Sequence, residues 1–333
     1  MKAFALALIG LLSSGSAAAA DRIVLQQFPG TFGNAAGVVA AKKGFCDKRG
    51  FQCEIKSLAT GPLGVQALAG RSIDAAFSAT EVFVAAIAAG TKLRIVYGGY
   101  RNLSYSLMTR NDTPMPSLDK GYPAYMKDLA GKKIGVAARG SGTEMHLLSL
   151  LRNAGMSEKD VTIVPVGGAG TAYPALVVGK QIDALMMFPP LRRICLTERT
   201  CRVVVDNKEM KWPADLASMV GSPASVAMRE DFIQQNPELV KRFVDALGEA
   251  TRWILDPANR SEFKELMRPN MTLGELPQAE VIRDRWIDDE IADMGDGKVV
   301  RSSIEAVAKF LADNGITSRI PSASEMIYEH APR

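Results

Sequence analysis

Residues 67–81 read ALAGRSIDAAFSATE, and residues 175–190 read ALVVGKQIDALMMFPP. Each copy runs from an Ala-Leu pair to a glycine, Gly70 or Gly179, then through a polar turn into Ile-Asp-Ala and an apolar run. A helix stopped by glycine and followed by a buried strand has this pattern. Its repetition implies two similar α/β halves, each built around one such strand. The copies diverge where the strand ends. The first closes on Ser78-Ala79-Thr80-Glu81, the second on Met187-Phe188-Pro189-Pro190.

Outward from these phrases, strand and helix alternate. RIVLQQF, FQCEIKSL, IDAAFS and LRIVYGG read as strands of the first half, with helices at NAAGVVAAKKG, PLGVQALAG and ATEVFVAAIAAG. A polar, Pro-rich break follows at TRNDTPMPSLDKGYPAYMKDLAG, read as a loop or short helix. The grammar then restarts. KKIGVAA, VTIVPVG, IDALMMF and CRVVVD are strands, separated by helices at GTEMHLLSLLRNAG, TAYPALVVG and PPLRRICLTE. ASVAMRE is one more strand. After it the chain is mostly helical, beginning with a helix capped by Asn236 and opened by Pro237.

With 47% hydrophobic and 23% charged residues, 333 residues suffice for two domains or one large one. A formal charge of +4, with no basic run interleaved with aromatics, excludes an electrostatic case for nucleic acid. The N-terminus has the form of an export signal: Lys2, an apolar run from Ala3 to Leu12, and small residues at Ala18 and Ala20. Cleavage is expected after Ala20, giving a soluble exported product without a lipid anchor. Cys46 and Cys53 enclose six residues, Cys195 and Cys201 five, and neither pair lies beside a histidine. In an oxidising compartment two local disulfides are expected.

In open α/β sheets ligands bind beyond the carboxyl ends of the strands, where helices begin. Ser78 to Glu81 and Ser141 to Glu144 have capping-box spacing, Thr60 precedes Pro62, and Gly170-Thr171 opens a helix. Several helix N-termini converging on one cleft would hold a small anion. Arg101 and Arg139 stand near two of these junctions and could add bidentate bonds. GGAGTA at 167–172 lacks the Lys-Ser/Thr of a phosphate loop and the third glycine of a dinucleotide fingerprint. His146 and His330 are the two histidines, and neither sits in a Gly-x-Ser-x-Gly, His-Glu-x-x-His or zinc-ligand pattern. Neither a catalytic residue nor a metal nor a cofactor is expected. Asp74 and Asp183, matched in the two phrases, fall at strand starts away from the cleft and read as structural residues.

Several ordered stretches carry a family resemblance: VAAKKGFCDKRGFQCEI, ALAGRSIDAAFSATEVFVAAIAAGTKLRIV, DLAGKKIGVAARGSGTEMHLLSLLRNAGMSEKDVTIVPV and ALVVGKQIDALMMFPP. Over roughly residues 22–250 the chain resembles the nitrate/sulfonate/taurine (NitT/TauT, thiamine-precursor-binding-like) class of ABC-transporter substrate-binding proteins. The resemblance implies a type II periplasmic-binding-protein fold: two α/β lobes joined by a double-crossover hinge, with a helical C-terminal tail. Lobe one would be 22–103 plus 220–333 and lobe two 104–219, with crossings near Gly98 to Thr109 and Pro213 to Ala227. It implies a periplasmic monomer that captures a small molecule by hinge closure and docks on a membrane permease. The implied pocket draws Gln27, Phe28, Thr31, Thr60, Gly61, Ser78, Ala79 and Thr80 from lobe one. Lobe two supplies Arg139, Ser141, Gly142, Thr143, Gly168, Thr171 and the Met187-Phe188-Pro189 corner. Many members place Trp and an acid before that Pro. Here the corner is apolar, which argues against ligands with a positive group and suggests a sulfonate or carboxylate with an apolar or aromatic body. A thiamine-pyrimidine synthase-like enzyme and the ligand-sensing subunit of a signalling system are the alternatives. The first needs active-site histidines, and the second differs only in its partner.

Overall fold

The computed structural model describes residues 21–206 and 208–333. The export signal expected at 1–20 lies outside the described residues. Among the described residues ten strands form two five-stranded sheets: β1 Asp21–Gln27, β2 Phe51–Ser57, β3 Ala75–Ala79, β4 Leu93–Tyr100, β5 Ser106–Arg110, β6 Lys133–Val136, β7 Thr162–Pro165, β8 Ala184–Met187, β9 Cys201–Val205 and β10 Ala224–Arg229. Their orders are β2-β1-β3-β10-β4 and β7-β6-β8-β5-β9. The two sheets are one topology used twice. In each, three parallel strands are followed by one antiparallel strand, β10 or β5, which arrives from the other lobe. The chain crosses at 101–105 and returns at 206–223.

β5 was not read from the sequence. Its residues, SLMTR, begin before the polar break and overlap its first two positions. Pairing on both sides, with β8 and β9, overrides the weak local signal.

The doubled phrase forms the helix Gly61–Ala69 with β3, and the helical turns 169–178 with β8. The helix stop is one residue later than the glycines. Gly70 (φ −78°) and Gly179 (φ −81°) are right-handed, whereas Arg71 (φ 56°) and Lys180 (φ 47°) are left-handed. Both basic residues are exposed, and each is held by an acid, Asp231 at 2.7 Å and Asp112 at 3.0 Å. The phrase's aspartates also match. Asp74 Oδ2 accepts the Val24 N–H of β1 at 2.9 Å, and Asp183 Oδ2 accepts the Lys133 N–H of β6 at 2.9 Å. Each locks the register of its strand against the parallel neighbour.

Both expected disulfides are present. Cys46–Cys53 ties the turn 47–49 to β2, and Cys195–Cys201 ties the helix Leu191–Glu198 to β9. The C-terminal helices cover the first sheet. Pro237–Leu255 packs on Ala35–Lys42, and Arg301–Asp313 packs on Thr80–Ala88. Ala279–Asp293 instead reaches across to Leu191–Glu198 of the other lobe. Among the described residues no helix is long and apolar enough to cross a membrane.

Asp74→Ala and Asp183→Ala should each destabilise by about 1–3 kcal/mol. The loss should be larger at Asp183, which also pairs with Arg110 at 3.0 Å. Urea denaturation of both variants checks this. Replacing either cystine pair by alanines should cost about 2.5 kcal/mol on the chain-entropy argument, read in the same way against the oxidised wild type.

Candidate functional site

The carboxyl ends of β1, β3 and β8 converge where the lobes meet. β1 runs into a loop held by its own side chains. Gln27 Nε2 donates to the carbonyls of Phe28 (3.0 Å) and Thr31 (2.9 Å), and Thr31 Oγ1 donates to Phe28 O at 3.0 Å. Asn34, left-handed at φ 63°, donates back to Gln26 O at 2.6 Å. With those polar groups engaged locally, the Phe28 ring is left facing the cleft. It meets Phe77 of β3 at 5.9 Å edge-on and Phe188 of the other lobe at 5.9 Å; Phe77 in turn meets Tyr100 at 6.0 Å.

These rings wall a cavity of ≈ 60 Å³, completed by Thr31, Gly33, Ala79, Ser104, Tyr105, Pro189, Ala224 and Glu290. A water needs about 10–15 Å³ of such space, and small-molecule pockets hold about 300–1,000 Å³, so the lobes stand nearly shut. Other approaches agree. A Cβ on Gly142 would lie 2.8 Å from Ala79 Cβ, and one on Gly168 would lie 3.6 Å from Ala59 Cβ. A larger groove of ≈ 600 Å³ lies on lobe one, beside the helix Ala323–Met326 and away from the cleft. Its Arg94 is paired with Glu230, and its Arg301 with Glu305.

The structure brings five of the expected site residues to the cavity wall: Phe28, Thr31, Ala79, Phe188 and Pro189. Gln27 braces the loop. Met187 is buried within β8 opposite Ser106. Thr60 caps its helix through the backbone, without a side-chain bond, and its carbonyl accepts from Gln26 Nε2 at 3.0 Å. Gly61 fits against Ser78, whose Oγ would stand 1.9 Å from an added Cβ. Thr80 is fully buried. Its hydroxyl donates to Ser222 O at 2.6 Å and meets Ser225 Oγ at 3.0 Å, tying the helix start to the return crossing. Ser141 and Thr143 bond each other (2.8 Å) and the backbone of Ala137 and Ala138. Thr171 bonds Val166 O and Gly168 O and is exposed. Arg101 is exposed, and half-exposed Arg139 pairs with Glu144 (2.8 Å) and Glu158.

The two capping boxes are corrected. Ser78 lies inside β3, and its partner Glu81 turns instead towards lobe two, where Oε1 lies 3.1 Å from His146 Nε2. Both side chains are about 1% exposed. Neither Glu81 oxygen nor either His146 nitrogen has hydrogen-bond geometry to a partner. His146 is ringed by Tyr105, Trp212 and Phe310. Glu144 bonds the Gly140 N–H at 2.6 Å instead of closing a box with Ser141.

Glu290 was missed, because its place depends on how the C-terminal helix Ala279–Asp293 docks. Trp286, fully buried, sets its ring edge-on to Phe32 at 4.9 Å. One turn later Glu290 reaches the cavity, accepting from Trp286 Nε1 at 2.9 Å and from the Tyr100 hydroxyl. Trp and Glu four apart on one helix face was the available signal. On the next face, Asp289 pairs with Arg193 at 2.6 Å and Asp293 with Lys208 at 2.5 Å, both across the lobe boundary.

Burial pushes the Glu290 carboxyl up to about 7, the Tyr100 and Trp286 bonds opposing the rise; Asp293 adds to it and Lys208 offsets it. A folded pKa above the unfolded one means stability that is full below the unfolded value and lost as pH rises through the folded value. Glu290→Gln, which cannot ionise, should therefore gain in melting temperature on the wild type between about pH 5 and about pH 8. Calorimetric scans at both pH values test it, and a constant difference would contradict it.

The NMT1/THI5-like family model matches residues 32–260. A protein of Brucella abortus (strain 2308) named as a binding protein is 28% identical over 223 residues, 66% of this chain and 62% of its own length. The riboflavin-binding protein RibY of Chloroflexus aurantiacus is 25% identical over 213 residues, 62% of this chain and 56% of that protein. The chain thus spans less than two thirds of the length of these curated relatives. The alkanesulfonate-binding protein SsuA of Xanthomonas axonopodis pv. citri, bound to MOPS, superposes with a TM-score of 0.70. It is 15% identical, covering 92% of this chain and 97% of that one, and the likeness shows a periplasmic-binding-protein fold. Relatives and neighbours are mainly binding proteins, although a thiamine-biosynthesis protein and a desulfurisation enzyme are among them. Matched over residues 32–260 and folded as two such lobes, the chain belongs to the NMT1/THI5-like family.

Proposed function

We propose that this chain is an exported solute-binding protein that captures a small organic molecule between its lobes and delivers it to an ABC permease. The observation that carries the reading is the aromatic seam across the lobe boundary. Phe28 and Tyr100 of one lobe and Phe188 of the other wall one small cavity at the strand ends. Contacts made to both lobes favour the closed state, which is how a ligand shifts such an equilibrium. At ≈ 60 Å³ the cavity must widen to admit a solute, and the two crossing segments are where the lobes can hinge.

The seam supports an apolar or aromatic ligand body. A sulfonate or carboxylate head, as the helix starts suggested, would meet hydroxyls at Thr80, Ser141 and Thr143 that already bond other groups. Binding without chemistry is the better reading of this site. His146, the histidine nearest the cleft, is sealed behind Tyr105 and lies off the cavity wall.

Mass spectrometry of small molecules released from natively purified protein should recover a bound solute, and its return should raise the melting temperature. Phe188→Ala should weaken that solute by about 5- to 30-fold, the range for losing an aromatic anchor of about 1–2 kcal/mol. Titration calorimetry on the variant checks it. Unchanged affinity would move the pocket elsewhere.

A further inference from the structure

The lining of the interlobe cavity contains no Lys, Arg or His among the described residues; its one charged side chain is Glu290. Arg101, next to Tyr100 in the chain, is exposed and off the lining, and four cations of lobe two are held by acids. Lys208 is on Asp293, Arg193 on Asp289, Arg192 on Asp206, and Arg139 on Glu144 and Glu158. Each Glu290 oxygen accepts one hydrogen bond, from Trp286 or Tyr100. A carboxylate offers about four lone-pair sites, so acceptor capacity remains beside the cavity.

A second carboxyl lies close by. Tyr105 lines the cavity, and its hydroxyl and Glu81 Oε1 crowd the same point at Gly142, 2.4 Å and 2.6 Å from where a Cβ would stand. Glu81 is 1% exposed; neither of its oxygens has hydrogen-bond geometry to a partner, and Oε1 lies 3.1 Å from His146 Nε2. The helix Gly142–Asn153, whose N-terminus could have drawn an anionic ligand, thus already faces a carboxyl of the chain itself.

Resting on the solute-binding reading, we propose that Glu290 is the head-group residue of this pocket, and that the ligand is an aromatic or heteroaromatic molecule bearing an ammonium or N–H donor. Such a group gains a charge-assisted bond to the carboxyl, and a cation gains further from the faces of the surrounding rings. Above about pH 7, where the Glu290 carboxyl is ionised, a sulfonate or carboxylate meets like charge in a low-dielectric wall with no opposing cation on the cavity lining. Phe28, Phe77 and Phe188 hold the ring, and Glu290 reads its polar end.

The test is a thermal-shift and calorimetry series on the chain as exported, at a pH above about 7 so that Glu290 is ionised, with ring-matched probes: phenethylamine, phenylacetamide, phenylacetate and benzenesulfonate, then larger bicyclic members of each class. Amines and amides should shift the melting temperature while their anionic counterparts do not. Glu290→Gln should lower amine affinity by roughly tenfold or more, with a smaller loss for amides. Binding confined to the anions, or amine affinity unchanged in a folded Glu290→Gln, would overturn the head-group assignment and leave solute binding intact. Binding by no class would overturn both readings. The wild-type preference between charge classes needs no variant, so it decides the matter even if Glu290→Gln does not fold.

Discussion

Each sheet is completed by a strand that comes from the opposite lobe. β10 lies between β3 and β4, and β5 between β8 and β9. Without that antiparallel strand the neighbours on either side would present unpaired backbone groups, so neither sheet closes until the chain has crossed. Two crossings follow, and they are bonded to each other: the Gly221 N–H donates to Arg101 O at 2.7 Å. The Thr80 N–H bonds Pro223 O at 3.0 Å, and the Thr80 hydroxyl bonds Ser222 O, so the first lobe grips the return crossing at the edge of the cleft. Two tied strands of chain limit relative motion far more than one linker would. This favours rotation about a fixed line over free separation.

The helix Ala279–Asp293 joins that line to the pocket. The Arg101 N–H donates to Asp293 O at 2.9 Å, at the first crossing. Residues four apart divide the helix into faces. Trp286 and Glu290 face lobe one and the cavity, while Asp289 and Asp293 face the cations of lobe two. These interlobe pairs are partly exposed, so each contributes modestly and is weakened by salt. Their position matters more than their strength. Asp289 and Glu290 are neighbours on one helix, so the same element holds the interlobe ion pair and part of the cavity wall.

The repeat was legible because its physics is local. Apolar runs and polar turns recur at strand spacing, and the paired aspartates mark strand starts in both halves. The disulfides were legible for the same reason, as each spans a short stretch of chain. What was not legible required a partner distant in sequence. β5 is five residues whose strand character comes from β8 and β9. Glu81 has the spacing of a capping residue, yet the neighbouring lobe recruits it to His146. Glu290 enters the pocket only because Trp286 finds Phe32, 254 residues earlier in the chain by number.

The two ends of the doubled phrase show why residue type misleads at such junctions. Ser78, Thr80, Ser141 and Thr143 looked like ligand contacts because hydroxyls suit an anion. Strand-to-helix junctions, however, are crowded with backbone groups that lack partners. A short hydroxyl side chain reaches those groups more readily than a ligand does. Thr80 bonds a carbonyl of the return crossing, and Thr143 an N–H at the end of β6. Phe28 and Phe188 have no such local use. A phenyl ring cannot pair with a backbone donor or acceptor, so once the sheets are packed it remains where the lobes meet. In this fold the apolar residues at the strand ends are therefore the better guide to the cleft, and the charged group on its wall, Glu290, arrives late in the chain.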